Sequence, residues 1–381
     1  MAAVTELQEQ DIVKFYQLFA STEKVVTVYS QGINQSTTGT DKCNSIINCH
    51  LATGRIGQPG MGPFSFTGQP NAMGGREVGG LSNQLAAHME ITNPEHHDRV
   101  ARFWKADNLA TENGAKAIDM FEQIASGKIK AIWIMATNPV VSLPDADKVK
   151  DALKKCELVV VSECEENTDT TALADILLPA AAWGEKDGVV TNSERRISRQ
   201  RSFLPLPGEA KPDWWIITQL ARKMGFETAF PFEKSADVFR EHAQLSAFEN
   251  NGVRDFNIAG LADISDEGYD NLIPIQWPVI NKADKGTARL FSDKQFFTPS
   301  GKARMISVEP KLPYHQVSDE YPLVLNTGRI RDQWHTMTRT GRAVRLNAHI
   351  PEPMVQVHPL DAANFHLVDG SLAEIKSRWG R

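Results

Sequence analysis

The stretch Lys130-Ala131-Ile132-Trp133-Ile134-Met135-Ala136-Thr137-Asn138-Pro139 decides the reading of the fold. Its first six residues are a run of strand length that empties into a polar turn closed by Pro139. Immediately before it, residues 115–126 place Ile118, Met120, Phe121 and Ile124 on one helical face. After it come a helix over 145–156 and a second strand over 158–162, which ends in the acidic loop Glu163-Cys164-Glu165-Glu166-Asn167-Thr168-Asp169. A helical turn at 170–174 and a third strand at 175–179 follow. Strands alternating with helices in this way predict a parallel sheet with helices on both faces. Polar residues then collect at strand ends: Thr137 and Asn138, Ser162 and Glu163, and finally Glu185, Lys186 and Asp187.

Towards the N-terminus, residues 6–20 have a helical apolar period and 25–29 are a short β-branched strand. The polar loop 30–40 leads into a helix from Asp41 that Gly54 stops. Strand, Gly-containing loop and helix make the half-unit of a doubly wound α/β fold, whose ligands lie where loops leave the carboxyl ends of strands. The loop lacks the G-x-G-x-x-G order, so nothing points to a nicotinamide dinucleotide. Residues 57–80 follow, so dense in Gly and Pro that neither helix nor strand is expected there. Arg76 and Glu77 are the only charged residues in that loop. A flexible linker is the rival reading, but linkers are Ser/Gly-rich and do not carry Met61, Phe64, Phe66 and Met73.

Towards the C-terminus, residues 184–201 crowd Asn192, Glu194, Arg195, Arg196, Arg199 and Arg201 into what reads as a charged hairpin, its distal arginines in solvent. A helix is expected over 213–224. Three further strands are expected at 321–326, 354–358 and 371–376, the last without a partner, as in a truncated β-barrel. The expected domains are an α/β region over 1–225, an irregular connecting excursion over 226–320 and the start of a barrel over 321–381.

The chain has 381 residues, 41% hydrophobic and 23% charged, which suits a globular protein of two or three domains rather than a disordered or fibrous one. A net charge of −6 gives no basic footprint for nucleic acid. No apolar run of membrane-spanning length and no signal peptide are seen, which leads to a cytoplasmic expectation. Cys43, Cys49, Cys156 and Cys164 form no C-x2-C pair, so no zinc or iron–sulfur run is present; the first three read as buried thiols. His88, His96 and His97 read as a solvated loop, lacking a carboxylate at ligand spacing.

The segment Gly68-Gln69-Pro70-Asn71-Ala72-Met73-Gly74-Gly75-Arg76-Glu77-Val78-Gly79, together with Gly32-Ile33-Asn34-Gln35, Thr137-Asn138-Pro139 and Thr327-Gly328-Arg329-Ile330-Arg331-Asp332-Gln333-Trp334-His335-Thr336, resembles the molybdopterin oxidoreductase family over nearly the whole chain. Within it, the motifs are most similar to the catalytic subunits of bacterial nitrate reductases of the assimilatory or periplasmic type. Gln31, where periplasmic relatives carry Met, favours the assimilatory branch. The resemblance implies molybdenum carried by two molybdopterin guanine dinucleotides, bis-MGD, and reduction of nitrate to nitrite. It implies electrons arriving from a donor protein or domain through a 4Fe-4S cluster in a segment preceding this chain. It also implies an internal fragment, inactive alone, with the metal-ligating residue outside it.

By the same resemblance Gln35 contacts the pterin, while Asn138, Ser162 and Glu163 serve one nucleotide arm. Lys186 lies near its phosphates or guanine, and Asp213 reads the guanine edge. The run Thr327 to Thr336 wraps the other arm. Arg76 guides the anion near the metal, a guanidinium fork matching a planar oxyanion in two parallel hydrogen bonds. Three rival readings remain: a formate dehydrogenase of the same family, a non-catalytic scaffold subunit, and an Arg76 that holds its loop through an ion pair with Glu77 or a more distant acid.

Overall fold

The computed structural model describes residues 1–337 and 339–381. The chain divides into two compact units, one of Met1–Gly114, Lys186–Phe203 and Trp214–Gln316, the other of Ala115–Glu185, Leu204–Asp213 and Val317–Arg381.

In the second unit the strands Ala131–Met135, Leu158–Glu163 and Ile176–Pro179 pair in parallel, in the order of the sequence. Helices Ala117–Ala125 and Ala146–Lys155 cover the sheet, burying Phe121, Ile124, Val149, Ala152 and Leu153 with Ile134, Val159 and Val161. Each large side chain buried this way contributes about 1.5–3 kcal/mol. The parallel register sets Met135 opposite Ser162 and Glu163 opposite Pro179, so the polar strand ends share one edge.

The first unit carries a second parallel pair, Val26–Tyr29 with Gly62–Ser65, joined through helix Gly39–Ala52. It also holds an antiparallel sheet of Gly188–Thr191, Arg196–Gln200 and Ile275–Gln276. Its core is built around Met89, Val100, Ile197, Phe239, Phe256 and Trp277. The architecture is therefore mixed α/β with parallel sheets.

Four expectations change. The Gly-rich stretch is not structureless: Gly62–Ser65 is a strand because the 26–29 strand completes its ladder, and Ala72–Glu77 is a helix. His96 and His97 lie in helix Pro94–Trp104, not a loop; Pro94 starts it, where a missing N–H costs nothing, and Asn93 caps it. The hairpin arginines are not simply solvated, since the Arg199 side chain is 3% exposed, paired with Asp187 at 2.5 Å and Asp270 at 3.2 Å. The stretches 321–326, 354–358 and 371–376 form no ladder among the described residues, and the only bridge there joins Ser377 to Gly380. A β-branched sequence becomes a strand only where a neighbour completes its hydrogen bonds, so no barrel wall is seen among the described residues, and Val324 and Leu372 are exposed.

Residues 226–320 supply helix Ser235–Ala247 and much of the first unit's core. Within that core His242 stacks on Phe256, with ring centroids 5.1 Å apart. Burial, reinforced by His88, pulls its imidazole down to about 4. Between that value and the unfolded value near 6.5, the unfolded chain takes up a proton that the folded chain refuses. Stability is thus lost on acidification, by up to ~1.4 kcal/mol per pH unit for this group. His242→Phe should shrink the loss of denaturant midpoint between about pH 7 and pH 5, with His50 and His96, also held down by burial, carrying the remainder.

Candidate functional site

Parallel pairing in the first unit brings the carboxyl ends of Val26–Tyr29 and Gly62–Ser65 to one edge, with Tyr29 opposite Ser65. The loops leaving that edge are tied to each other by polar side chains. Ser30 Oγ donates to the Phe66 carbonyl at 2.7 Å and also bonds Gln31. Gln31 Nε2 reaches Gln69 Oε1 at 3.3 Å, and Asn34 Nδ2 reaches Ser65 Oγ at 3.2 Å. Gln35 closes the short helix Gln31–Asn34 through its backbone N–H and keeps its side chain exposed. The Tyr29 phenol is raised by burial and by Cys43, while the positive charge of Arg76 draws it the other way.

Arg76 and Glu77 are neighbours in different environments, one exposed and one buried. Arg76 is exposed, and its side chain makes no hydrogen bond or ion pair among the described residues. Glu77 is 3% exposed, and its carboxylate accepts from Trp277 Nε1 at 2.6 Å and Thr191 Oγ1 at 2.8 Å. Burial pushes its pKa up, against the pull of those two donors. The reading in which Arg76 is paired with Glu77 is thereby removed. Beneath the helix that carries both lies a cavity of about 90 Å3, lined by Asn71, Gly74, Glu77, Thr191, Phe239 and His242 among others. Lys186 also belongs to this unit, next to the hairpin, its carbonyl 3.4 Å from Gln200 Nε2.

In the second unit the other expected residues gather at the ends of the three-stranded sheet. Asn138 caps a short helix and accepts from Thr170 Oγ1 at 2.7 Å, leaving its amide nitrogen without a partner among the described residues. Ser162 is 1% exposed and its hydroxyl accepts from Trp133 Nε1 at 2.8 Å, so its side chain braces the strand. Glu163 accepts from the Cys164 N–H at 2.8 Å and lies 3.5 Å from Arg339. Arg342 pairs with Glu165 at 2.7 Å, so residues just beyond 327–336 are tied to the acidic loop. Asp213 opens helix Asp213–Lys223.

Within the run 327–336 itself, Arg329 lies over the Trp334 ring at 4.9 Å, and Trp334 meets His335 edge-on. Asp332 pairs with Arg331 and with His349 at 2.9 Å. Gln333 is 7% exposed; its Nε2 donates to Asn347, while its Oε1 is buried without a partner. Thr327, Gly328 and Ile330 contribute backbone, and Thr336 follows His335, whose φ is +46°. Sequence reasoning missed Thr170, Thr191, Trp277 and Arg339, which meet their partners only through tertiary contacts. The Gln31–Gln69 bond joins two amides that the sequence offered separately.

Two adjacent glycines separate what the fold demands from what it does not. A Cβ on Gly74 would stand 2.1 Å from Asn71 Oδ1, and that oxygen cannot swing away because it accepts from the Thr191 N–H at 2.9 Å. A Cβ on Gly75 would meet nothing within 4 Å, and the same holds at Gly32 and Gly328. Gly75→Ala should therefore stabilise the ligand-free protein by about 0.5–1 kcal/mol, as Ala does for Gly inside a helix. Gly74→Ala should destabilise it by about 1–3 kcal/mol, the range for overpacking. Denaturant unfolding of the two variants checks both signs.

The sequence model of the molybdopterin oxidoreductase family matches residues 9–223, and that of the molydopterin dinucleotide binding domain matches 323–381. The chain is 52% identical over 375 residues to a nitrate reductase of Klebsiella oxytoca, covering 98% of this chain and 42% of that protein. It is 34% identical to the assimilatory nitrate reductase catalytic subunit of Bacillus subtilis, covering 100% of this chain and 52% of that one. To the alpha subunit of the F420-dependent formate dehydrogenase of Methanocaldococcus jannaschii it is 33% identical, covering 97% and 52%. The chain thus spans about half the length of these relatives or less. Its matched residues establish that it belongs to the molybdopterin oxidoreductase family.

Proposed function

We propose that this chain is part of the catalytic subunit of a molybdenum-dependent nitrate reductase of the assimilatory kind. Nitrate takes up two electrons and two protons and leaves as nitrite and water. The observation that carries the reading is Arg76: an exposed guanidinium on a short helix, its side chain without a partner among the described residues, while the neighbouring Glu77 carboxylate is buried and bonded to Trp277 and Thr191. A guanidinium left unpaired by its own fold is available to a planar anion through two parallel hydrogen bonds. The similarity to nitrate reductases at 52% identity supports nitrate as that anion, and exceeds the 33% to a formate dehydrogenase.

The cofactor proposed is molybdenum bis(molybdopterin guanine dinucleotide), which supplies the two-electron oxygen-transfer chemistry when bound. The chain's residues fit a large hydrogen-bonding ligand. Gln333 holds a buried acceptor with no internal partner, Asn138 an unpartnered amide nitrogen, and Gly32, Gly75 and Gly328 have open space where a side chain would stand. Gln35, Asn138, Lys186 and Asp213 would orient the cofactor, with Ser162 and Glu163 shaping the loop that meets it. Residues 327–336 would line a second arm, as the start of the dinucleotide-binding domain. The matches at 9–223 and 323–381 support a division at about residues 225 and 320. Electrons would come from a donor protein or domain through a 4Fe-4S cluster outside this chain. An assimilatory role would put the enzyme in the cytoplasm. No helix among the described residues is long and apolar enough to cross a membrane.

Arg76→Lys keeps the charge and loses the fork. In the full-length protein it should raise the KM for nitrate or lower turnover by ten- to a hundredfold, roughly 1.4–2.8 kcal/mol, with molybdenum content unchanged. Formate oxidation without nitrate reduction by the unmodified protein would overturn the reading. So would a well-folded, full-length preparation without molybdenum, which would point to a scaffold.

A further inference from the structure

The helix Ala72–Glu77 that carries Arg76 is too weak to hold itself. It has six residues, and its N-cap Asn71 makes no side-chain capping bond. Isolated helices shorter than ~12 residues are marginal in water. Its packing is incomplete: Met73 meets the core, but a cavity of about 90 Å3 borders Gly74 and Glu77. What grips it is a set of hydrogen bonds from distant parts of the chain. Thr191 takes hold of both ends: its N–H donates to Asn71 Oδ1 at 2.9 Å and its Oγ1 to Glu77 Oε2 at 2.8 Å. Trp277 donates its Nε1–H to Glu77 Oε1 at 2.6 Å, and the Ala87 N–H donates to the Glu77 carbonyl at 2.7 Å.

The far ends of this grip are themselves fixed. Trp277 is 2% exposed and packs edge-on against Phe256, with centroids 5.4 Å apart. His88 meets the same indole edge-on and is held at 3.0 Å by Asp255. Arg195 donates to the Trp277 carbonyl. A carboxyl shut away from water is a poor choice for stability alone, since an apolar side chain would fill the same space without a desolvation penalty. Successive helical residues point about 100° apart, so fixing the direction of Glu77 fixes that of Arg76.

We propose that Glu77 is a positioning residue for Arg76: clamped between Trp277 and Thr191, it sets the direction in which the anion-binding guanidinium faces the substrate. The inference rests on the nitrate reading of Arg76, and the experiment separates the two. In the full-length enzyme, Glu77→Leu removes both side-chain bonds and keeps the site filled. It should raise the KM for nitrate at least tenfold, with kcat altered less than threefold and molybdenum content unchanged. Glu77→Gln retains an acceptor for Trp277 and a partner for Thr191, and should restore most of the wild-type KM. Thr191→Val, which removes one bond at the far end of the clamp, should reproduce part of the Leu effect.

A readout independent of turnover is the rate at which phenylglyoxal labels Arg76, followed by peptide mass. It should change severalfold in Glu77→Leu and return in Glu77→Gln. If Glu77→Leu lowers the melting temperature while KM and labelling rate stay at wild-type values, Glu77 is structural and the proposal fails. If Gln is as defective as Leu, the clamp is not what matters and the proposal also fails. Should Glu77→Leu not fold, Thr191→Val decides by the same two measurements. Absence of nitrate reduction in the unmodified enzyme removes the substrate reading alone, and the labelling rates still test the clamp.

Discussion

Parallel pairing is the constraint on which this molecule depends. Two strands that run the same way must deliver their carboxyl ends to the same edge, and the chain does this twice, once in each unit. The polar clusters at the two strand ends are a consequence. Ser30, Gln31, Ser65 and Gln69 meet because strands 26–29 and 62–65 end side by side. Asn138 and Glu163 stand on one edge because strands 131–135 and 158–163 do the same. The ladder also explains how a Gly- and Pro-rich segment holds a strand at all: its neighbour supplies the hydrogen-bond pattern that its own composition discourages.

How much of this was legible in the sequence follows from the range of the forces involved. The helices near 115–126 and 145–156, and the strands between and after them, were readable to within a residue or two because their signals are local: apolar period, turn residues, stops. Arg76 stood out as a cation in an otherwise nearly uncharged loop. What could not be read is what depends on partners. Asp255 answers His88 from 167 residues away, so the histidine looked like part of a loop without a carboxylate. Arg199 looked solvated because its receivers, Asp187 and Asp270, flank it only after folding. Residues 321–376 had strand composition, yet composition cannot supply the neighbouring strand.

The buried polar groups of the first unit illustrate a division of labour. Apolar side chains such as Phe239, Phe256 and Val279 provide bulk stabilisation without regard to direction. Glu77, Asn71 and Thr191 add comparatively little net stability, since each bond replaces one to water. Their contribution is angular: a hydrogen bond specifies where its partner lies, and a polar group with two required partners tolerates few alternative arrangements.

The grip of Thr191 on both ends of the helix also dictates the order in which the protein is built. The bonds from Thr191 to Asn71 and Glu77 span 120 and 114 residues, and the bond from Trp277 to Glu77 spans 200. Closing loops of that length carries an entropic penalty that must be met before the contact returns anything, so such contacts form late. On a ribosome, residues 72–77 emerge long before Thr191 and Trp277 exist to receive them. The helix that carries Arg76 is therefore completed only after the hairpin and the segment to Trp277 have folded around it, and a chain interrupted between those points carries Arg76 on an unformed helix.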